Sequence, residues 1–112
     1  MKRIWRAFLY SLHGIAAAWH DEPAFREEAV LAAIMVPAAC FLAPDKLSLI
    51  LMIGSVLLVL ALELVNTAVE AAINRIGPEI HPLSKKAKDT ASAAVLIGLI
   101  NTGFVWAVIL FF

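Results

Sequence analysis

Residues 47–73 read LSLILMIGSVLLVLALELVNTAVEAAI, and this stretch decides the fold. Its first part, from Leu47 to Leu62, carries no charged residue. A helix rises about 1.5 Å per residue, so about 20 apolar residues cross a hydrocarbon core about 30 Å thick. With its extension to Ile73, the stretch predicts a transmembrane helix over about 47–74.

Two further apolar stretches predict two more transmembrane helices. The stretch from Thr90 to Phe112 is free of charge and predicts a span over about 89–112. The stretch from Ala29 to Ala43 is shorter, so the span predicted over about 25–44 must recruit flanking residues or lie in thinned bilayer. Pro44-Asp45-Lys46 separates it from the central stretch, and so brief a connection predicts a tight antiparallel hairpin.

The first 20 residues differ from these stretches because basic and apolar residues alternate at helical spacing. Arg3, Arg6, Tyr10 and His13 are interleaved with apolar side chains, namely Ile4, Trp5, Phe8, Leu9, Leu12 and Ile15. This pattern predicts an amphipathic helix over about 1–20 that lies on the membrane surface. Trp19 would anchor the end of that helix among the lipid headgroups.

The composition supports one all-α membrane domain over residues 1–112. The chain is 62% hydrophobic and 16% charged, with a mean hydropathy of +0.89, which is far more apolar than a soluble domain. Its net charge of zero gives no broad basic surface for nucleic acid. Cys40 is the only cysteine, which excludes an intrachain disulfide framework.

The basic residues predict the orientation of the chain. They concentrate before the first span and between the second and third spans, whereas the hairpin carries only Lys46; they are Lys2, Arg3, Arg6, Arg75, Lys85, Lys86 and Lys88. Because basic residues stay on the cytoplasmic side, we expect the N-terminus and residues 75–88 to face the cytoplasm.

Four polar side chains interrupt the central apolar helix. Glu63, Asn66, Thr67 and Glu70 are separated by three, four and seven residues, so they share one helical face. A charged group near lipid costs several kcal/mol unless it is paired, liganded or solvated. The stripe therefore predicts a polar site at the membrane interface; a purely structural polar seam between helices is the alternative reading.

Charged residues also gather at the mouths of the other predicted spans, in Asp21-Glu22, in Arg26-Glu27-Glu28 and in Lys88-Asp89. Together they supply what phosphoryl transfer needs, which is carboxylates for Mg²⁺, cations for phosphate oxygens and a base for a hydroxyl proton. The sequence has neither GxxxxGK[ST] nor GxGxxG, so it predicts neither common nucleotide-binding loop. The three histidines lack the spacing of a transition-metal site.

Four segments together resemble one known family. They are AAWHDEPAFREE at 17–28, ELVNTAVEAA at 63–72, RIGPEIHPLS at 75–84 and AKDTASAAV at 87–95. They resemble the small integral-membrane bacterial diacylglycerol kinases over essentially the whole chain. The resemblance implies a homotrimer in the bacterial inner membrane, in which each chain gives a surface helix and three transmembrane helices. Neighbouring subunits would share active sites at the cytoplasmic surface, where ATP and Mg²⁺ phosphorylate diacylglycerol to phosphatidic acid.

The resemblance also implies roles for individual residues. Glu63 would be the catalytic base, and Glu22 and Glu70 would bind the Mg²⁺. The nucleotide would contact Arg3, Tyr10, Glu22, Asn66, Glu70, Glu79, His81, Lys88 and Asp89. The lipid substrate would contact Arg3, Trp19, Arg26, Glu28, Glu63 and Ser92. One position departs from the family pattern, because Asn74 stands where the family carries an aspartate.

Two other functions are compatible with these residues. A sister branch of the same fold phosphorylates undecaprenol, but Ser92 and the stretch Ala-Phe-Arg-Glu-Glu at 24–28 resemble the diacylglycerol branch. A small transporter would instead use Glu63 and Glu70 to relay protons or cations. Against a transporter, the carboxylates cluster near one interface and the third span carries none.

Overall fold

The computed structural model describes residues 1–78 and 80–112, and Glu79 lies outside the described residues. The described residues form four helices and no strand, which confirms the all-α prediction. In chain order the helices are α1 (Lys2–Asp21), α2 (Pro23–Leu42), α3 (Lys46–Ile76) and α4 (Pro82–Phe111).

A single extended residue, Glu22, joins α1 to α2. Pro23 begins α2, where its fixed φ suits a first helical position and its missing N–H removes no helical bond. The Arg26 guanidinium donates hydrogen bonds to the carbonyl oxygens of Trp19 at 2.9 Å and His20 at 3.0 Å. A cation at a helix C-terminus satisfies free carbonyls and interacts favourably with the negative end of the helix dipole. Arg26 therefore stabilises the bend between the two helices.

The connection from α2 to α3 is the tight hairpin predicted at Pro44-Asp45-Lys46. Asp45 caps α3, since its carboxylate accepts a hydrogen bond of 2.7 Å from the backbone N–H of Ser48. That bond lowers the pKa of Asp45. The two helices run antiparallel, because Glu28 near the start of α2 lies beside Glu63 late in α3.

α3 and α4 form an antiparallel pair held by side chains that donate to carbonyls of α3. Trp106 donates from Nε1 to the carbonyl of Met52 at 3.1 Å, and Thr102 donates to the carbonyl of Ser55 at 3.1 Å. Gly98 of α4 is buried against α3, where an added Cβ would lie 2.8 Å from Cδ1 of Leu62. The missing side chain therefore allows close approach of the helices, as small residues do inside membranes.

Two helices of the described chain, α3 and α4, are long and apolar enough to cross a membrane, with mean hydropathies of 2.6 and 2.3. α2 does not reach this standard, because Arg26, Glu27 and Glu28 occupy its first turns. α4 also begins earlier than the third span predicted over 89–112. Its start is fixed at Pro82 by His81, whose Nδ1 accepts a hydrogen bond of 3.0 Å from the N–H of Leu83.

Candidate functional site

The polar stripe predicted on α3 is present, and its members contact one another. Asn66 donates from Nδ2 to Oε1 of Glu70 at 3.3 Å, and the Thr67 hydroxyl donates to the carbonyl oxygen of Glu63 at 3.0 Å. Glu63 is only 6% exposed, and Ser55 is the other buried polar residue in the described part of the chain. Burial of a carboxylate without an ion pair favours a site that uses it.

The start of α2 brings two more carboxyl groups to this stripe. The carboxyl group of Glu28 lies close to that of Glu63, and the carboxyl group of Glu22 lies close to that of Glu70. Burial raises the pKa of the Glu22 carboxyl, and the Glu70 carboxylate beside it raises this pKa further. Two adjacent carboxylates repel each other unless a proton or a cation lies between them, so this cluster suits a cation.

The oxygen atoms around Glu22 and Glu70 fit Mg²⁺. Oδ1 of Asn66 is buried without a hydrogen-bond partner in the described chain, next to the Glu70 carboxylate to which the same amide donates. Mg²⁺ prefers oxygen ligands and is commonly held by one or two carboxylates together with phosphate oxygens. The described residues contain no group of three or more His, Cys, Asp or Glu that could hold a metal ion.

A second polar group lies where α3 ends and α4 begins. Lys88 donates from Nζ to Oδ1 of Asn74 at 3.1 Å, and Lys85 forms an ion pair with Asp89. These residues line a cavity of about 280 Å³ together with His81. The cations and hydrogen-bond donors on one side of this cavity are suited to phosphate groups.

An apolar groove of about 410 Å³ lies between α1 and α3 and reaches the polar stripe. Small side chains leave this space open; the lining residues are Ser11, Gly14, Ile15, Ala17, Ala18, Leu64, Thr67, Ala68 and Ala71. Leu64 follows Glu63 directly, and Thr67 is hydrogen-bonded to the Glu63 carbonyl. The groove therefore borders the polar stripe at Thr67, although none of the carboxylates lines it.

The structure does not bring every predicted site residue into these groups. Arg3, Tyr10 and Trp19 are exposed on α1, Ser92 is exposed on α4, and their side chains make no hydrogen bond within the described residues. Arg26 is engaged with the end of α1. Glu79 lies outside the described residues, so its predicted contact to nucleotide stays a prediction.

Sequence reasoning missed three features of the site, two contacts between side chains and one groove. It did not pair Glu28 with Glu63, it did not connect Asn74 to Lys88, and it did not identify the groove beside Gly14. The small residues Gly14 and Ala18, four apart on α1, were the available signal for the groove. The two pairings join different helices, so periodicity within one helix gives no signal for them.

Comparison with known proteins gives a consistent result over nearly the whole chain. The model of the prokaryotic diacylglycerol kinase family matches residues 9–110. A diacylglycerol kinase of Haemophilus influenzae is 54% identical over 92% of this chain and 87% of the relative. Diacylglycerol kinases of Escherichia coli and Pseudomonas aeruginosa are 46% and 44% identical, over 96% and 98% of this chain and 88% and 89% of theirs.

The family match spans α2, α3 and α4, which carry the carboxylate cluster, and most of α1. Identity of this degree over this much of both chains is carried by the entire fold and not by one short motif. The chain belongs to the prokaryotic diacylglycerol kinase family.

Proposed function

We propose that this chain transfers the γ-phosphoryl group of ATP to the hydroxyl group of diacylglycerol and so produces phosphatidic acid. The observation that carries the proposal is Glu63, a buried carboxylate on a helix that also carries Asn66 and Glu70 and that borders an apolar groove at Thr67. A lipid hydroxyl and a water-soluble phosphate donor can both reach such a residue. The names of the relatives supply the lipid class.

Glu63 acts as the general base in this reaction. Its carboxylate takes the hydroxyl proton while the hydroxyl oxygen forms a bond to the γ-phosphorus, and the bond from that phosphorus to the bridging oxygen of ADP breaks. Mg²⁺, held by Glu22 and Glu70, would supply charge neutralisation for the phosphate oxygens. Glu28, whose carboxyl group lies close to that of Glu63, contacts the lipid substrate in the proposal.

The remaining residues divide between the two substrates. Asn66, Lys88 and Asp89 hold the nucleotide in the proposal, with Arg3, Tyr10, Glu79 and His81 at its edge. Arg3, Trp19, Arg26 and Ser92 lie on the lipid side. The exposed positions of Arg3, Tyr10, Trp19 and Ser92 in a single chain suit sites that a second chain completes.

In this proposal residues 1–112 form one integral-membrane kinase domain and assemble as a homotrimer with shared active sites. α1 lies on the cytoplasmic surface of the bacterial inner membrane, and α2, α3 and α4 cross it. The charged start of α2 would remain at the interface while its apolar part enters the bilayer.

The test measures phosphate transfer from labelled ATP, with Mg²⁺, to diacylglycerol and to undecaprenol side by side in mixed micelles. Glu63→Gln is expected to lower the transfer rate by at least about a thousandfold and to leave ATP binding within about twofold, because the base acts only in the transition state. Glu27→Gln, at an exposed neighbour of Glu28, is the matched control and is expected to retain the wild-type rate.

Preferential labelling of diacylglycerol that is lost in Glu63→Gln supports both substrate and base. Preferential labelling of undecaprenol would overturn the substrate and move the chain to the sister branch of the same fold. A Glu63→Gln variant with a near wild-type rate would overturn the role of Glu63 as base.

A further inference from the structure

The contact between Asn74 and Lys88 joins the last turns of α3 to the first turns of α4. Nζ of Lys88 donates to Oδ1 of Asn74 at 3.1 Å across 14 residues of sequence. In the part of the chain that the structure describes, this is the one side-chain hydrogen bond between the two helices at that end. This contact places the Lys88 ammonium group beside Asn74.

The neighbouring charges leave the charge of Lys88 available. Asp89 adjoins Lys88 in sequence, but its carboxylate is paired with Lys85 on the preceding turn. The acceptor that Lys88 does contact is a neutral amide oxygen. A hydrogen bond to an oxygen acceptor restrains the long, flexible lysine side chain, and no carboxylate of the described residues forms an ion pair with Lys88.

The position of Asn74 on α3 directs this charge towards the proposed nucleotide site. Asn74 follows Glu70 by four residues and so shares its helical face. Lys88 lines the polar cavity together with His81 and Asn74 itself. The ammonium group thus lies at the cavity, next to the residue that follows Glu70 by one helical turn.

We propose that Asn74 is a positioning residue, which holds the Lys88 ammonium group where it binds the phosphates of the nucleotide. This role rests on the proposed function, because it takes nucleotide phosphate as the partner of Lys88. A purely structural contact would instead hold α3 and α4 together and would act on stability alone.

The experiment compares Asn74→Ala, Lys88→Met and the double variant in full-length protein. Asn74→Ala is expected to raise the KM for ATP by roughly tenfold while kcat falls less than about threefold, because a misplaced cation weakens phosphate binding. In the Lys88→Met background, the same Asn74→Ala change is expected to have no further effect on the Kd for MgATP measured by calorimetry, since the two residues act through one contact.

Three further measurements distinguish a positioning role of Asn74 from a purely structural one. Asn74→Asp retains an acceptor oxygen and is expected to have a KM for ATP closer to wild type than that of Asn74→Ala. Lys86→Met, at an exposed position two residues from Lys88, is the matched control and is expected to leave the KM unchanged. The midpoint of thermal unfolding is expected to change by no more than a few degrees in each variant.

The proposal is overturned by an unchanged KM in Asn74→Ala, by equal defects in Asn74→Asp and Asn74→Ala, or by fully additive effects of the two single changes. Binding of MgATP is measured separately by calorimetry in detergent micelles. If wild-type protein binds MgATP but does not phosphorylate diacylglycerol, the proposed function fails, and the effect of Asn74→Ala on the Kd for ATP still decides the role of Asn74.

Discussion

Glu22 occupies the one extended position between α1 and α2, and this geometry gives its side chain a path to Glu70 on α3. If this residue were helical, α1 would continue in a straight line and the chain would not turn into α2. Pro23 and Arg26 hold the turn from the other side. The carboxylate pair thus depends on the bend as much as on the two glutamates.

Mg²⁺ affinity is the property that the Glu22 and Glu70 pair is expected to control. Glu22→Gln should raise the Mg²⁺ concentration for half-maximal activity by roughly tenfold or more, because one of two carboxylate ligands is lost. The measurement is a Mg²⁺ titration of kinase activity at saturating ATP. Glu27→Gln, exposed on the same helix, should leave the titration unchanged; an unchanged titration in Glu22→Gln would remove this residue from the metal site.

The same pair predicts how stability depends on pH when Mg²⁺ is absent. The pKa of Glu22 is raised above 4.5 in the folded chain, so just above pH 4.5 the folded state holds a proton that the unfolded state has lost. Its contribution to stability is present below pH 4.5 and declines as pH rises through the folded pKa. Thermal unfolding in detergent with a chelator should show this decline in wild type, and Glu22→Gln should lack that component.

The opposite trend, with the Glu22 component gaining stability as pH rises, would contradict a raised pKa. Addition of Mg²⁺ is expected to remove much of the difference between wild type and Glu22→Gln at high pH, because the cation relieves the carboxylate repulsion that the amide avoids.

At the scale of elements, the antiparallel pair of α3 and α4 depends on the absence of a side chain at Gly98. Gly98→Val places methyl groups where a Cβ alone would already lie 2.8 Å from Leu62. Overpacking of this kind costs about 1–3 kcal/mol, so the midpoint of thermal unfolding should fall by several degrees. Gly103→Val on the same helix is the matched control, because no atom lies within 4 Å of an added Cβ there.

Equal destabilisation by Gly98→Val and Gly103→Val would show that valine in α4 is unfavourable for its own sake and would contradict the importance of close approach. If Gly98→Val remains active at low temperature, the substitution affects helix packing and not the chemistry at Glu63.

The helices were more predictable from sequence than their ends and contacts. The run from Leu47 to Leu62 predicts α3 because a long apolar stretch has few alternatives, and Pro44 marks the hairpin. The apolar run places the start of the third span near residue 89, whereas α4 begins at Pro82. The reason for the difference is that His81 caps the helix before the apolar run begins. The span predicted from Phe25 contains Glu28, and the sequence gives no sign that this side chain lies close to Glu63.

The candidate site was predictable where it depends on one helix and not where it depends on two. Spacing alone places Glu63, Asn66 and Glu70 on one face of α3, as observed. Which faces of α2 and α4 meet that stripe depends on the packing of whole helices around Gly98 and Arg26. The roles of the individual residues were implied by family resemblance and stay predictions.

At the scale of the whole molecule, one chain leaves many large apolar side chains exposed along its helices, including Leu31, Ile34, Ile50, Leu57, Ile97 and Phe104. A bilayer and neighbouring chains can cover them. Within one chain, Asn74 lies about 16 Å along α3 from Glu63, taking about 1.5 Å for each residue between them. A Lys88 held at Asn74 is thus distant from the Glu63 of its own chain.

This distance predicts complementation between two inactive variants. Co-expression of Glu63→Gln and Lys88→Met chains should restore up to about a quarter of wild-type activity in randomly mixed closed oligomers, because some sites receive a wild-type residue from each chain. Labelled phosphate transfer by the purified mixture is the measurement, with each variant expressed alone as control. Activity no higher than that of the separate variants would contradict shared sites, and cross-linking in membranes that traps only dimers would contradict the trimer.

Hydrogen bonds join α3 and α4 at both ends of the pair, from Trp106 to Met52 at one end and from Lys88 to Asn74 at the other. Separation of α3 from α4 would break both of these hydrogen bonds. The groove lies between α1 and α3, and α1 packs on α3 far less extensively than α4 does. A ligand that widened the groove would therefore displace α1 rather than α4.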